Sequence, residues 1–308
     1  AEHRLSDARD AKFLVVTFLG TECPLAKLYG PRLVDLEATY RDRGVKFLAI
    51  NSNSQDSLTE IAAYARVHQI GFPILKDLRN EAADAFAAER TPETFVLDAE
   101  RVVKYHGRID DQYGVGYARD EPTRRDLAAA LDALLAGKPV EQAETTPVGC
   151  FIGRTRSVPK SGAAVTYSNQ IARLFQNRCV ECHREGQIAP FALTEYSEVA
   201  GWADTILEVA QDRRMPPWHA DPAHGEFANA RRLSDEEMAL LEQWVSDGAP
   251  EGNPAEMPKA QEYTSGWQFD GEPDAVITMR ETPFDVPAEG AVEYKYFSVD
   301  PGFTEDKW

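Results

Sequence analysis

The chain has 308 residues, with 51 acidic against 33 basic side chains and a formal charge of −18 at pH 7. Its hydrophobic fraction of 43% beside 27% charged residues is that of a folded protein, long enough for two domains. The acidic balance excludes a basic footprint for nucleic acid, and the longest apolar run, Phe13 to Leu19, is far too short to span a bilayer.

The opening at Ala1, without methionine, reads as a processed product. From there to about residue 137 strand and helix signals alternate, the pattern of an α/β domain. Phe13 to Leu19 predicts a buried central strand. Cys23-Pro24 then opens a helix in which Leu25, Leu28, Leu33, Leu36 and Tyr40 recur near helical spacing; Pro31 is expected to kink it and Gly44 to stop it. Val45 to Ile50 is a second strand. Ser57 with Glu60 forms a capping box for a helix carrying Leu58, Ile61 and Ala65. Phe72 to Leu75 predicts a short strand and Glu81 to Ala88 a short helix. Thr94 to Leu97 and Val102 to His106 form a hairpin, and Thr123 to Leu135 is a closing helix ended by Gly137.

Residues 138–163 lose periodicity and collect Pro, Gly, Thr and Ser, which predicts a linker. Residues 164–258 are mainly helical, with a proline-bearing break from Asn253 to Pro258. Residues 259–308 carry short β segments, Ala275 to Thr278 and Val292 to Phe297, and read as the start of a further domain.

The most specific motif is Cys179-Val180-Glu181-Cys182-His183. Two thiols three positions apart on one turn can each add to a vinyl group of one haem, and the adjacent histidine then reaches the iron. A zinc half-site or a chance disulfide are the competing readings, but Cys23 and Cys150 give no second pair at metal-ligand spacing. One covalent haem c is therefore expected, with Cys179 and Cys182 as attachment points and His183 as proximal ligand. Met215, in Arg213-Arg214-Met215-Pro216-Pro217-Trp218-His219, is the candidate sixth ligand, about thirty residues downstream. Ordinary core packing of Met215 and ligation by His219 or His224 are the alternatives. Ile188 to Phe191, Trp202, Ile206 and Trp244 supply an apolar shell, and Arg213 or Arg214 could pair with propionates.

The N-terminal order strand, Cys-Pro, helix, strand, helix, then Thr91-Pro92-Glu93 before a hairpin and final helix resembles the thioredoxin-like redoxins. That resemblance implies Cys23 at a helix N-terminus that favours the thiolate, and a cis proline at Pro92 beside the sulfur. The chain departs from the dithiol pattern, since Ala26 stands where a resolving cysteine would be, and from the peroxiredoxin pattern, since Gly20 stands where that family has threonine. Three readings stay open: chemistry at Cys23 alone, a resolving Cys150 folded back from after the last helix, or a fold kept for docking. Glu22, Arg108 and Asp110 are candidate tuning residues.

Gln187 to Phe191, Arg214 to Asp221 and Trp244 to Pro250 resemble the cytochrome module that precedes a copper type II, ascorbate-dependent-like monooxygenase in some bacterial multidomain proteins. Tyr294 to Trp308 resembles the first strands of that monooxygenase; with no histidine after His224, copper ligands are absent from these residues. The resemblances together imply a periplasmic electron-transfer protein, a thioredoxin-like domain (1–137) and a 138–163 linker leading to a cytochrome c domain (164–258). Its partners would be redox proteins or a C-terminal oxygenase. A thiol- or haem-dependent peroxidase, and a non-catalytic redoxin that orients the cytochrome, are the competing functions.

Overall fold

The continuous apolar run Phe13–Phe18 forms the central strand β1, and its alternating side chains enter two different cores. Val15 packs on one face with Leu33, Val96 and Leu131; Leu14, Val16 and Phe18 pack on the other with Phe95 and Ile152. Burial on both faces is why the run shows no polar alternation. In this computed structural model the described residues are 5–155, 162–218, 220–263, 271–286 and 294–305.

Around β1 the sheet is built from β2 (Val45–Asn51), β3 (Ile74–Lys76), β5 (Glu93–Leu97) and β6 (Val103–Gly107), in the order β3-β2-β1-β5-β6. The β1, β2 and β3 strands run parallel, β5 runs antiparallel to β1, and β6 antiparallel to β5. Helix α1 (Pro24–Tyr40) follows β1 directly and continues through Pro31. Ser57 caps α2 (Leu58–Val67): its hydroxyl accepts from the Glu60 amide at 3.2 Å, and the Glu60 carboxylate accepts from the Ser57 amide at 2.6 Å. After α3 (Glu81–Phe86) comes the two-residue strand β4 (Arg90–Thr91). A small hairpin, β7 (Tyr113–Gly114) with β8 (Tyr117–Ala118), precedes α4 (Asp126–Leu135). The closing helix thus begins three residues later than its composition suggests. Thr123 and the Arg124 amide bind the buried Asp111 carboxylate, so this stretch serves as an anchor before the helix starts.

The segment 138–163 is not a free connection. A bridge joins His106 to Glu144, and Cys150–Phe151 forms β9, antiparallel to β4 with Thr91 opposite Cys150 and Arg90 opposite Phe151. Residues 156–161 of this segment lie outside those described. The backbone pairing that composition could not reveal ties the segment to the α/β layer up to Gly153.

The helical region starts with a π-turn, Tyr167–Ile171, running into α5 (Ala172–Arg178), followed by α6 (Tyr196–Gln211) and α7 (Asp235–Ser246). Trp244 is fully buried; its indole N–H donates to the Pro250 carbonyl at 3.0 Å, and Pro250 also accepts from the Tyr167 amide at 2.9 Å. Residues 1–259 form one compact unit.

Residues 260–308 form a second unit. Ala275 to Thr278 is not a strand there, and no strand occurs among the unit's described residues. A β segment without a paired neighbour leaves its amides and carbonyls to water. Of the other expected segment, Val292 and Glu293 lie outside the described residues, and Tyr294 to Phe297 is not strand. Arg280 sits 5.7 and 5.4 Å from the Phe284 and Phe297 ring centres.

Trp244→Ala removes a side chain that both fills the helical core and holds the Pro250 carbonyl. It should cost about 3–5 kcal/mol, read as a lower urea midpoint for this region.

Candidate functional site

Cys23 is the N-cap of α1, fully buried, with backbone in the extended region. The loop that delivers it is held from below by Asp56, whose Oδ2 accepts from the Thr21 amide at 2.9 Å and from the Asn51 and Asn53 side-chain amides at 2.6 and 3.1 Å. The same Asn53 amide explains Gly20: a Cβ there would come within 2.5 Å of Asn53 Nδ2. A threonine at that position has no room while this network stands.

Across from Cys23 lies the cis Thr91-Pro92 bond, at the position the redoxin pattern implied. In its protonated form the Cys23 thiol donates to the Thr91 carbonyl at 2.9 Å. Thr91 in turn pairs with Cys150, so one two-residue strand sets both cysteines against each other. Both are free thiols in this structure. Burial pushes the Cys23 thiol up, but the Cys150 thiol and amide and the Ala26 amide donate to its sulfur and bring it well below the ordinary range. Hydrogen bonding to Cys23, together with burial, pushes the Cys150 thiol upward. The pair therefore keeps its proton on Cys150 and its negative charge on Cys23, at a helix N-terminus that favours it.

Sequence reasoning missed the residues that fix β4. Glu93, fully buried beside Pro92, accepts from the Glu89 and Arg90 amides at 2.8 Å each and meets His106 Nε2 at 2.5 Å. The hydrogen bond to Glu93 raises the His106 pKa, and the ring stacks on Phe95 with 4.4 Å between centroids. Arg90 donates to the Gly149 carbonyl at 2.8 Å and covers the Phe151 ring at 3.9 Å, so it holds the residues on both sides of Cys150. The expected tuning residues are engaged elsewhere. Glu22 pairs with Lys27 at 2.6 Å, Arg108 with Asp126 at 2.7 Å, and Asp110 binds Tyr29 and Arg32.

The Cys179–His183 turn follows the end of α5. The Cys179 carbonyl accepts from the Cys182 and His183 amides at 3.1 and 2.9 Å, which gathers the three side chains on one turn. His183 Nδ1 lies 3.1 Å from the Phe191 carbonyl. A carbonyl only accepts, so Nδ1 carries the proton and Nε2 keeps its lone pair, as an axial ligand requires. Burial lowers the His183 pKa and keeps the ring neutral; burial pushes Cys179 up to about 12. Phe191 stands 5.0 Å from the His183 ring and stacks on Trp202 at 4.4 Å, and the Ala189 amide ties the next loop to Cys182 at 3.2 Å. Ile188 in that loop is 90% exposed. A tautomer fixed for ligation and open apolar surface beside the turn fit a covalent haem at Cys179 and Cys182.

Met215 stands in the loop after α6, with its amide on the Val209 carbonyl at 3.1 Å. At 44% exposure it is not a core methionine. Among the described residues no hydrogen bond or ring contact joins Met215 to the Cys179–His183 turn. His224 is exposed, and His219 lies outside the described residues.

The α/β layer with a cysteine at the helix start facing a cis proline defines a thioredoxin-like fold. Residues 1–106 match the model of the AhpC/TSA family. Curated relatives include the thiol-disulfide oxidoreductase ResA of Geobacillus kaustophilus, 31% identical over 103 residues, covering 33% of this chain and 58% of that protein. The ResA of Bacillus subtilis is 27% identical over 101 residues, covering 32% of this chain and 55% of that protein. The chain spans little more than half the length of these relatives. Among solved structures, a hypothetical protein from Sinorhizobium meliloti 1021 is 35% identical, covering 50% of this chain and 85% of that one with a TM-score of 0.46. An uncharacterized conserved protein from Geobacillus kaustophilus is 32% identical, covering 51% and 84%, also at 0.46. The N-terminal part of the chain is a thioredoxin-like redoxin domain of the AhpC/TSA kind.

Since the Cys150 thiol is one of the donors that lower the Cys23 thiol, Cys150→Ala leaves only the backbone amides and Thr91 to oppose burial. The pH midpoint of Cys23 alkylation, followed by mass spectrometry, lies below the usual thiol value of about 8.5 in the reduced protein and moves up by about one unit or more in Cys150→Ala.

Proposed function

We propose that this chain is an extracytoplasmic redox protein in which a Cys23–Cys150 dithiol works in a thioredoxin-like domain beside a helical module bearing one haem c. The observation that carries the thiol part is Cys150 placed at Cys23 by the β4–β9 pairing. The relatives named thiol-disulfide oxidoreductase support the same chemistry.

Cys23, the thiolate of the pair, attacks one sulfur of a substrate disulfide; the S–S bond breaks and the first substrate thiolate leaves. Cys150 loses its proton to that leaving sulfur and attacks Cys23 Sγ, which expels the second substrate thiolate. The substrate disulfide is reduced, its second thiolate taking a proton from water, while Cys23 and Cys150 are oxidised to a disulfide. A resolving thiol on a strand replaces the one that Ala26 cannot provide. The docking-only reading is disfavoured, because a retired thiol has no need of a second cysteine hydrogen-bonded to it.

In the helical module Cys179 and Cys182 would hold the porphyrin through thioethers, and His183 Nε2 and Met215 would be the side chains that hold the iron. Bound there, haem supplies one-electron redox chemistry. The Phe191 carbonyl orients His183, and the Phe191–Trp202 stack keeps water from that side. Thioether attachment and a stable disulfide both belong to an oxidising compartment, which supports the extracytoplasmic placement.

Oxidation with glutathione disulfide should join the Cys23 and Cys150 peptides with loss of two hydrogens, and Cys23→Ser should abolish reduction of a disulfide peptide. Unchanged turnover in Cys23→Ser sinks the thiol reading. Denaturing mass spectrometry should find one haem on the chain, and Met215→Ala should remove the weak far-red band of methionine-ligated ferric haem while the haem mass stays.

A further inference from the structure

The strand carrying Cys150 is sandwiched between two parts of the chain. On one side it pairs with β4; on the other it meets α6 of the helical module. Thr205 of α6 makes that contact, and at helical spacing on either side of it Gly201 approaches Gln55 while Glu208 reaches Arg90 of β4. Thr205 Oγ1 accepts the Phe151 amide at 3.0 Å. The backbone at Gly201 lies so near Gln55 that a Cβ there would come within 2.6 Å of its Oε1. Glu208 binds Arg90 in a fork, Oε1 to Nη2 at 2.7 Å and Oε2 to Nη1 at 3.3 Å. Arg90 is the residue that grips the Gly149 carbonyl and the Phe151 ring. Both side chains of this pair are about three-quarters buried, at 22% and 26% exposure, so solvent screens it less than an open surface pair.

We propose that Glu208 is a positioning residue for the thiol chemistry: by locking Arg90 it holds Cys150 in register with Cys23, so the helical module sets the dithiol–disulfide equilibrium of the redoxin domain. This rests on the thiol reading of the Cys23–Cys150 pair. A disulfide closes more favourably the higher the effective concentration of one sulfur at the other. Arg90 freed from Glu208 retains long-chain rotamer freedom and holds the Gly149–Phe151 strand for a smaller fraction of the time. Oxidation of the pair removes two electrons and two protons, and glutathione disulfide, the oxidant in the test, is reduced to two glutathione thiols.

The experiment equilibrates the full-length chain with glutathione buffers of graded ratio and measures the Cys23–Cys150 disulfide by alkylation and mass spectrometry. Glu208→Gln should lower the equilibrium constant for disulfide formation about tenfold, a potential about 30 mV less negative. Glu208→Asp should fall between it and the parent. Arg90→Lys should act in the same direction, and the double variant should lose no more than the larger single change, because both break one clamp. Glu242→Gln, on α7 and bound to Gln211, should leave the constant unchanged. A constant within twofold of the parent in folded Glu208→Gln, or full additivity with Arg90→Lys, overturns the inference. Should Glu208→Gln fail to fold by circular dichroism, Glu208→Asp and Thr205→Val decide: neither shifting the constant also overturns it. If the parent chain itself never forms the disulfide, the thiol reading falls first; a disulfide that forms but ignores Glu208 removes this inference alone.

Discussion

The short β4–β9 pairing is the constraint on which the thiol site depends. Thr91 performs two tasks from one backbone position, since its carbonyl takes the Cys23 thiol while its strand partner is Cys150. The approach is close enough to require glycine before Cys150. Gly149 has φ of +155°, and a Cβ on it would lie 1.9 Å from the Thr91 carbonyl oxygen. Two ladder residues cannot hold such a contact against chain entropy unaided. Glu93 therefore fixes β4 from beneath, and Arg90 fixes β9 from its outer side. A buried carboxylate, a guanidinium and a glycine thus substitute for the helical spacing that ordinarily sets two thiols together.

How far the residues alone disclosed this depends on the range of the interactions involved. The Phe13–Leu19 run, the Ser57–Glu60 cap and the hairpin before His106 are local patterns, and each appears as an element within a few residues of its expected bounds. The cis bond at Pro92 and Cys23 at the start of α1 followed from the redoxin resemblance. What stayed hidden is non-local. β9 is two residues long and has no hydrophobic period, so its segment read as linker; only the fold brings residue 150 to residue 91. Glu93 stood as the last residue of the Thr91-Pro92-Glu93 motif and His106 as a strand end thirteen residues on, with nothing to pair them, and nothing in composition marks Arg90 and Glu208 as partners across 118 positions. An acidic residue between the proline and an apolar strand was the available signal for Glu93. For Glu208 there was none.

The helical module shows the same division. Three side chains of Cys-x-x-Cys-His share a turn because spacing alone determines it, and the two amides converging on the Cys179 carbonyl are the structural expression of that spacing. The proton on His183 Nδ1 is set by a carbonyl eight residues away, a refinement the motif does not contain. Met215 is a different case, for its relation to the turn depends on how the loop after α6 runs, and no local pattern dictates that path.

The two redox candidates are therefore not beads on a flexible string. Glu208 faces Arg90 on the thiol side and lies 3.4 Å from Arg214 on the other, and Arg214 directly precedes Met215. One carboxylate shared between two guanidiniums has a single negative charge to distribute, so a tighter hold on one loosens its pull on the other. A fold that places the second cysteine on a strand, instead of one helical turn from the first, puts that thiol on a segment that α6 also touches.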